Sequence, residues 1–133
     1  MDILLIDDHK SIRDEMRSLL EEEGFRVVGE AETGEEGVDK AADLHPDLVI
    51  MDILLPGITG IEATKQICER DAGMRVLALS NHSDKNLVRA ATAAGALGYV
   101  LKDHAFEELF PAIEAVARGE SYFGEDLNGG DEA

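Results

Sequence analysis

The sequence predicts an α/β fold in three layers, α/β/α, around a five-stranded parallel sheet. Two observations predict it. Five short apolar runs recur along the chain: ILLI (3–6), RVVGEA (26–31), DLVIM (47–51), RVLAL (75–79) and GYVL (98–101). The first, third and fourth are nearly unbroken Ile, Leu and Val, as in strands buried on both faces. Between the runs lie segments of helical period. Strands alternating with helices imply parallel strands joined by right-handed crossovers.

The elements follow in order. Strand one leads to a helix carrying Ile12, Met16, Leu19 and Leu20 at i, i+4, i+7 and i+8, with Gly24 at its end. After strand two, Thr33 with Glu36 forms a capping box that starts helix two. Val38, Ala41 and Ala42 give that helix an apolar face, and Pro46 stops it. After strand three, Thr59 with Glu62 starts helix three. Leu87, Val88, Ala91 and Ala94 mark helix four, which ends at Gly95. Phe106, Leu109, Phe110, Ile113 and Val116 mark helix five. Pro111 falls inside this last pattern. Either the helix starts late, with Pro111 in its first turn, or it is kinked. The rest, GEDLNGGDEA, is an acidic, Gly-rich tail expected to fray. Five strands in this length suit the flavodoxin-like order 2-1-3-4-5, with a crevice between strands one and three.

The 133 residues suit one domain. The net charge is −17, from 29 acidic against 12 basic residues. That excludes nucleic-acid binding by this chain, which needs clustered Lys and Arg, and disfavours an anionic membrane surface. No apolar run reaches the roughly 20 residues of a membrane helix. Asp2 stands where a secretory signal carries a basic residue. With the single Cys68, this leads to a cytoplasmic expectation. Cys68, near Ile61 and Ile67, reads as a small core residue.

Ligands of open parallel sheets bind beyond the carboxyl ends of the strands. Strand one ends on Asp7 and Asp8, strand three on Asp52, strand four on Ser80, and strand five on Lys102. Strand two ends on Glu32 and Thr33, across the crevice. Two like charges ~4 Å apart cost about 4 kcal/mol at an effective dielectric near 20. The carboxylates must therefore take up protons or recruit a cation. Oxygen ligands with no His or Cys beside them favour Mg²⁺, Mn²⁺ or Ca²⁺, and Mg²⁺ is commonly completed by phosphate oxygens. An ionised carboxylate needs no general base and can attack phosphorus directly. His9, His45, His82 and His104 lack ligand spacing, although His9 and His82 lie close enough to the rim to reach a phosphoryl group.

The segments LLIDDH, DLVIMDILLPGITGIE, VLALSNHS and AGALGYVLKD, in order over residues 2–118, resemble the receiver domain of bacterial two-component response regulators. LSNHS and AIEAVARGESYF resemble the NarL/FixJ (LuxR-type) branch. The resemblance implies a CheY-like fold and a receiver domain over residues 1–120; residues 121–133 then read as a tail or linker start, and the expectation of no output domain in this chain departs from that branch's pattern. The resemblance implies that Asp52 is the phosphoacceptor and that Asp8 binds Mg²⁺ (Mn²⁺ as the alternative) directly. Asp7 would act mainly through a metal-bound water, and the Leu54 carbonyl would complete the ligands. Ser80 and Lys102 would bond the phosphoryl group, and Tyr99 would switch with Ser80. The implied partners are a sensor histidine kinase and a second copy in a phosphorylation-dependent homodimer. The implied output is transcriptional, through a DNA-binding domain absent from this chain. The domain would be a switch rather than a turnover enzyme.

Other readings fit less well. A haloacid-dehalogenase-like phosphohydrolase wants a second Asp two positions after the nucleophile, where this chain has Leu54. A flavin binder wants a Ser/Thr/Gly-rich first loop, where this chain has DDHKS. A phosphorylation-independent pseudo-receiver would not need the intact set. The terminal GGDEA, which looks like a cyclic-dinucleotide synthase signature, has no such domain around it and reads as accidental.

Overall fold

The computed structural model describes residues 1–123, the Phe106 side chain excepted. The tail 124–133, GGDEA included, lies outside the described residues. The elements are β1 (Asp2–Ile6), α1 (Lys10–Glu22), β2 (Arg26–Ala31), α2 (Gly34–Leu44), β3 (Leu48–Asp52), α3 (Gly60–Arg70), β4 (Val76–Ser80), α4 (Lys85–Ala94), β5 (Gly98–Leu101), a 3₁₀ turn (Lys102–His104), α5 (Ala105–Ala117) and β6 (Tyr122–Phe123). The strands pair in parallel in the order β2-β1-β3-β4-β5-β6. Among the described residues, no helix is long and apolar enough to cross a membrane.

Strand alternation divides the core into two layers. Leu4, Ile6, Val49, Met51 and Ala78 face Val38, Ala63, Ile67 and Val88 from α2, α3 and α4. Ile3, Leu5, Ile50, Leu77 and Leu79 face Met16 and Leu20 of α1 and Leu109, Ile113 and Val116 of α5. Thr33 and Thr59 cap α2 and α3 as expected, each accepting at 3.1 Å from the N–H three residues on. The Glu36 carboxylate does not return to Thr33; it accepts from Glu32 N–H at 2.9 Å.

One expectation is corrected, and one of the two alternatives for Pro111 is excluded. The sheet has a sixth strand, so β5 is not an edge: Tyr122 N–H donates to Leu97 O at 3.0 Å. Gly98 permits this approach, because a Cβ there would lie 2.9 Å from Tyr122 O. Helix α5 does not start late. It begins at Ala105 and runs through Pro111. Pro111 is exposed, and so is Glu107, whose carbonyl loses its donor. Water can serve that carbonyl there.

Cys68 packs half-buried against the core, where burial and then Asp71 push its thiol up. Thr64 is 0% exposed, and its Oγ1 has no hydrogen-bond partner among the described residues. A buried, unpaired hydroxyl costs about 1–3 kcal/mol. Thr64→Val is therefore expected to raise stability by about 1 kcal/mol in chemical denaturation. A loss of that size would show that the hydroxyl is bonded in solution.

Candidate functional site

Four parallel strands deliver their last residues to one rim. Asp7 and Asp8 follow β1, Asp52 closes β3, Ser80 closes β4, and Lys102 follows β5. The ladder holds these ends firmly. Asp7 N–H donates to Ala31 O and Ile53 N–H to Leu79 O, each at 3.0 Å. Past β3 the chain loops back, and Gly60 N–H donates to Ile53 O at 2.7 Å.

Asp7 and Asp52 are each only 4% exposed, whereas Asp8 faces solvent. Lys102 bridges the buried pair, with Nζ 2.9 Å from Asp7 Oδ2 and 3.2 Å from Asp52 Oδ2. The other Asp52 oxygen, Oδ1, accepts from Leu54 N–H at 3.1 Å. Asp7 Oδ1 accepts from His9 N–H at 2.8 Å. Asp7 Oδ2 is buried, and its contact with Lys102 is an ion pair without hydrogen-bond alignment.

The electrostatics follow from this crowding. Burial pushes the Asp52 carboxyl above its ordinary value and the Asp7 charge adds to this, while Lys102 and the Leu54 N–H offset part of it. Burial works against the Lys102 ammonium, but Asp7 and Asp52 together outweigh it and hold its pKa above normal.

The residues fit a divalent cation. One ligand atom from each of Asp7, Asp8, His9 and Asp52 lies within 4.8 Å of the others. Asp7, a member of this cluster, also carries the poorly satisfied Oδ2. The expectation that no imidazole stands beside these oxygens is corrected. The chain reverses between β1 and α1 and puts His9 Nδ1 3.2 Å from Asp8 Oδ1. Leu54 lies beside the site, its side chain exposed and its N–H on Asp52.

Ser80 and Tyr99 are both 1% exposed and are tied through the His82 backbone. Ser80 Oγ accepts from His82 N–H at 3.0 Å, and Tyr99 OH donates to His82 O at 2.9 Å. Burial pushes the Tyr99 phenol up, against the pull of Ser80 beside it. Of the strand-two residues, Thr33 caps α2, and Glu32 reaches only to 3.7 Å from Arg13.

Arg13 was not legible as a site residue. It is 6% exposed, donates from Nη1 to Asp7 O at 2.6 Å, and donates from Nε to Glu30 Oε1 at 2.9 Å. It therefore fixes the backbone that carries Asp7. Burial pushes the Glu30 carboxyl up, but bonds from Arg13 and Arg17 outweigh it and hold it below normal. A signal was present: Arg13, Met16 and Leu20 share the buried stripe of α1.

Residues 3–114 match the family described as the response regulator receiver domain. The transcriptional regulatory protein LiaR of Bacillus subtilis is 41% identical over 119 residues, covering 89% of this chain and 56% of that protein. The response regulator UvrY of Escherichia coli K12 is 38% identical over 128 residues, covering 96% of this chain and 59% of that protein. The chain thus spans a little over half the length of these relatives. A two-component response regulator of the LuxR family from Aurantimonas sp. SI85-9A1 superposes with a TM-score of 0.91 at 38% identity, over 95% of this chain and 91% of that one. The isolated receiver domain of RcsB from Salmonella enterica serovar Typhimurium, solved with the phosphomimetic BeF₃⁻, gives a TM-score of 0.88 at 25% identity, over 98% and 97%. Strand order, the acidic rim with its lysine, and these likenesses agree: the chain belongs to the response regulator receiver domains, in their NarL/FixJ (LuxR-type) branch.

Proposed function

We propose that Asp52 accepts a phosphoryl group from a sensor histidine kinase and that its new charge throws a conformational switch. The supporting observation is the buried Asp52 carboxylate, met by Lys102 Nζ on one oxygen and the Leu54 N–H on the other, beside Asp7 and Asp8. An Asp52 oxygen attacks the phosphorus of phosphohistidine. An O–P bond forms, the N–P bond breaks, and the leaving imidazole takes the electron pair. Lys102 follows the negative charge onto the phosphoryl oxygens. Asp7, Asp8, Asp52 and the Leu54 carbonyl would hold Mg²⁺, or Mn²⁺ in its place. When bound, the cation offsets repulsion between the carboxylates and the incoming phosphoryl oxygens.

The response passes through Ser80. Its hydroxyl leaves the His82 N–H to donate to a phosphoryl oxygen. Tyr99, bonded to the same residue's carbonyl, reads that movement. The outcome is a population shift on the face of α4 and β5, presented to a second copy or to an output domain. LiaR is named a transcriptional regulatory protein, which supports a transcriptional output, and we place that output in a DNA-binding domain outside these residues. The domain works as a cytoplasmic switch, not a turnover enzyme. Leu54 occupies the place where a phosphohydrolase of the haloacid-dehalogenase kind needs a second Asp.

Intact-mass spectrometry after incubation with acetyl phosphate tests this. One phosphoryl group is expected with Mg²⁺ and none with EDTA. Repeated turnover of a small phosphoester would favour the phosphohydrolase. No adduct and no Mg²⁺ binding would leave a pseudo-receiver that acts only as an interaction module.

A further inference from the structure

We infer that His9 supplies a nitrogen ligand to the cation site and biases it toward later first-row transition ions such as Co²⁺ and Ni²⁺ over Mg²⁺. This rests on the cation site proposed above and concerns which metal that site selects. His9 is the N-cap of α1, in an extended conformation, yet its side chain makes no capping bond. Its backbone N–H is instead pinned to Asp7 Oδ1 at 2.8 Å, which turns the imidazole back over the carboxylates. Nδ1 lies 3.3 Å from Asp7 Oδ1 and 3.2 Å from Asp8 Oδ1. Neighbouring donors on an octahedral ion with bonds of ~2.1 Å sit roughly 3 Å apart. Nδ1 is thus near ligand spacing from both carboxylate oxygens without any rearrangement of the chain. Buried Asp7 Oδ2, without an aligned hydrogen bond, gives the cluster a second reason to take up a cation.

A plain His–Asp ion pair would also place these atoms together, but it leaves the metal preference to the oxygen ligands and unchanged by loss of the imidazole. The chain's net charge of −17 attracts every divalent ion alike. Discrimination must come from ligand type. Imidazole favours the later first-row ions, whereas Mg²⁺ keeps to oxygen donors and its own waters. With carboxylates alone the site would follow the hard-ion pattern. With His9 added, it gains one borderline donor.

The test uses Mn²⁺ as the spectroscopic probe, with its binding followed by electron paramagnetic resonance of the free ion and with Ni²⁺ and Mg²⁺ each measured by competition. In the Mn²⁺-loaded wild-type protein, electron spin-echo modulation is expected to show coupling to an imidazole nitrogen. His9→Ala should abolish that coupling and lower the Ni²⁺-to-Mg²⁺ affinity ratio about tenfold. A wild-type spectrum without nitrogen coupling overturns the inference and leaves an oxygen-only cation site. So does a coupling that persists in His9→Ala, or an unchanged affinity ratio. Asp8→Asn should weaken both ions together. Failure of the wild-type protein to bind either ion would overturn the cation site itself.

Discussion

Asp52→Asn is expected to abolish phosphoryl labelling while raising the melting temperature of the metal-free protein at neutral pH. The two effects share one cause. Burial, and then the charge of Asp7, hold the Asp52 carboxyl above its ordinary value, and Lys102 only partly relieves it. A raised acid binds more protons folded than unfolded. Stability therefore falls as pH rises from the ordinary carboxylate range near 4 through the raised folded value. Above that window the ionised Asp52 is a standing cost to the metal-free fold. An amide carries no such charge, and Lys102 keeps its partner in Asp7 at 2.9 Å. The expected gain is on the order of 1 kcal/mol, or roughly 4 °C in the midpoint. It should shrink as the pH is lowered toward 4, because wild-type Asp52 then takes up its proton. Added Mg²⁺ should reverse the order, because a bound ion stabilises the wild-type fold by mass action. A variant less stable than wild type without metal would mean that Asp52 is a structural partner of Lys102 rather than a strained acceptor.

Gly60→Ala is expected to be among the most damaging single changes in the chain. A Cβ at Gly60 would lie 1.9 Å from Asp52 O and 2.7 Å from Ile53 Cα. Both are backbone atoms, so no rotamer change makes room. Gly60 is also tethered there by its N–H on Ile53 O at 2.7 Å. Either that bond breaks or the end of β3 moves, and Asp52 moves with it. We expect a loss of about 3 kcal/mol or more, seen as a lower denaturation midpoint. Labelling of the folded fraction should fall at least tenfold, because in-line transfer is sensitive to displacements of about 1 Å. A stable, fully labelled Gly60→Ala protein would show that the loop yields without disturbing the acceptor.

The parts of this site that lie directly at strand ends were legible. Asp7, Asp8 and Asp52 follow nearly unbroken apolar runs, Lys102 follows the short run GYVL, and parallel strands must bring such ends to one rim. The capping threonines were legible from their spacing to Glu36 and Glu62. The missed features depend on contacts that period and spacing do not encode. β6 is two residues long, too short to show alternation, and it exists because Gly98 lets Tyr122 approach. Arg13 is charged, so it reads as solvated, although its stripe on α1 is buried. His9 was read only as near enough to reach a phosphoryl group, because a tight turn rather than a helix-face spacing folds its imidazole onto its own preceding carboxylates. Pro111 could be weighed only as a first-turn or kinking residue until its outward position was known.

The most direct test of the central claim is to locate the phosphoryl group. The protein would be labelled with acetyl phosphate and Mg²⁺ and then reduced with borohydride, which converts an aspartyl phosphate to homoserine. Peptide mass spectrometry would read the modified position. Homoserine at position 52, absent in Asp52→Asn and in EDTA, is the predicted result. A phosphoryl group on Ser80, His9 or His82, or labelling that survives in Asp52→Asn, would contradict it.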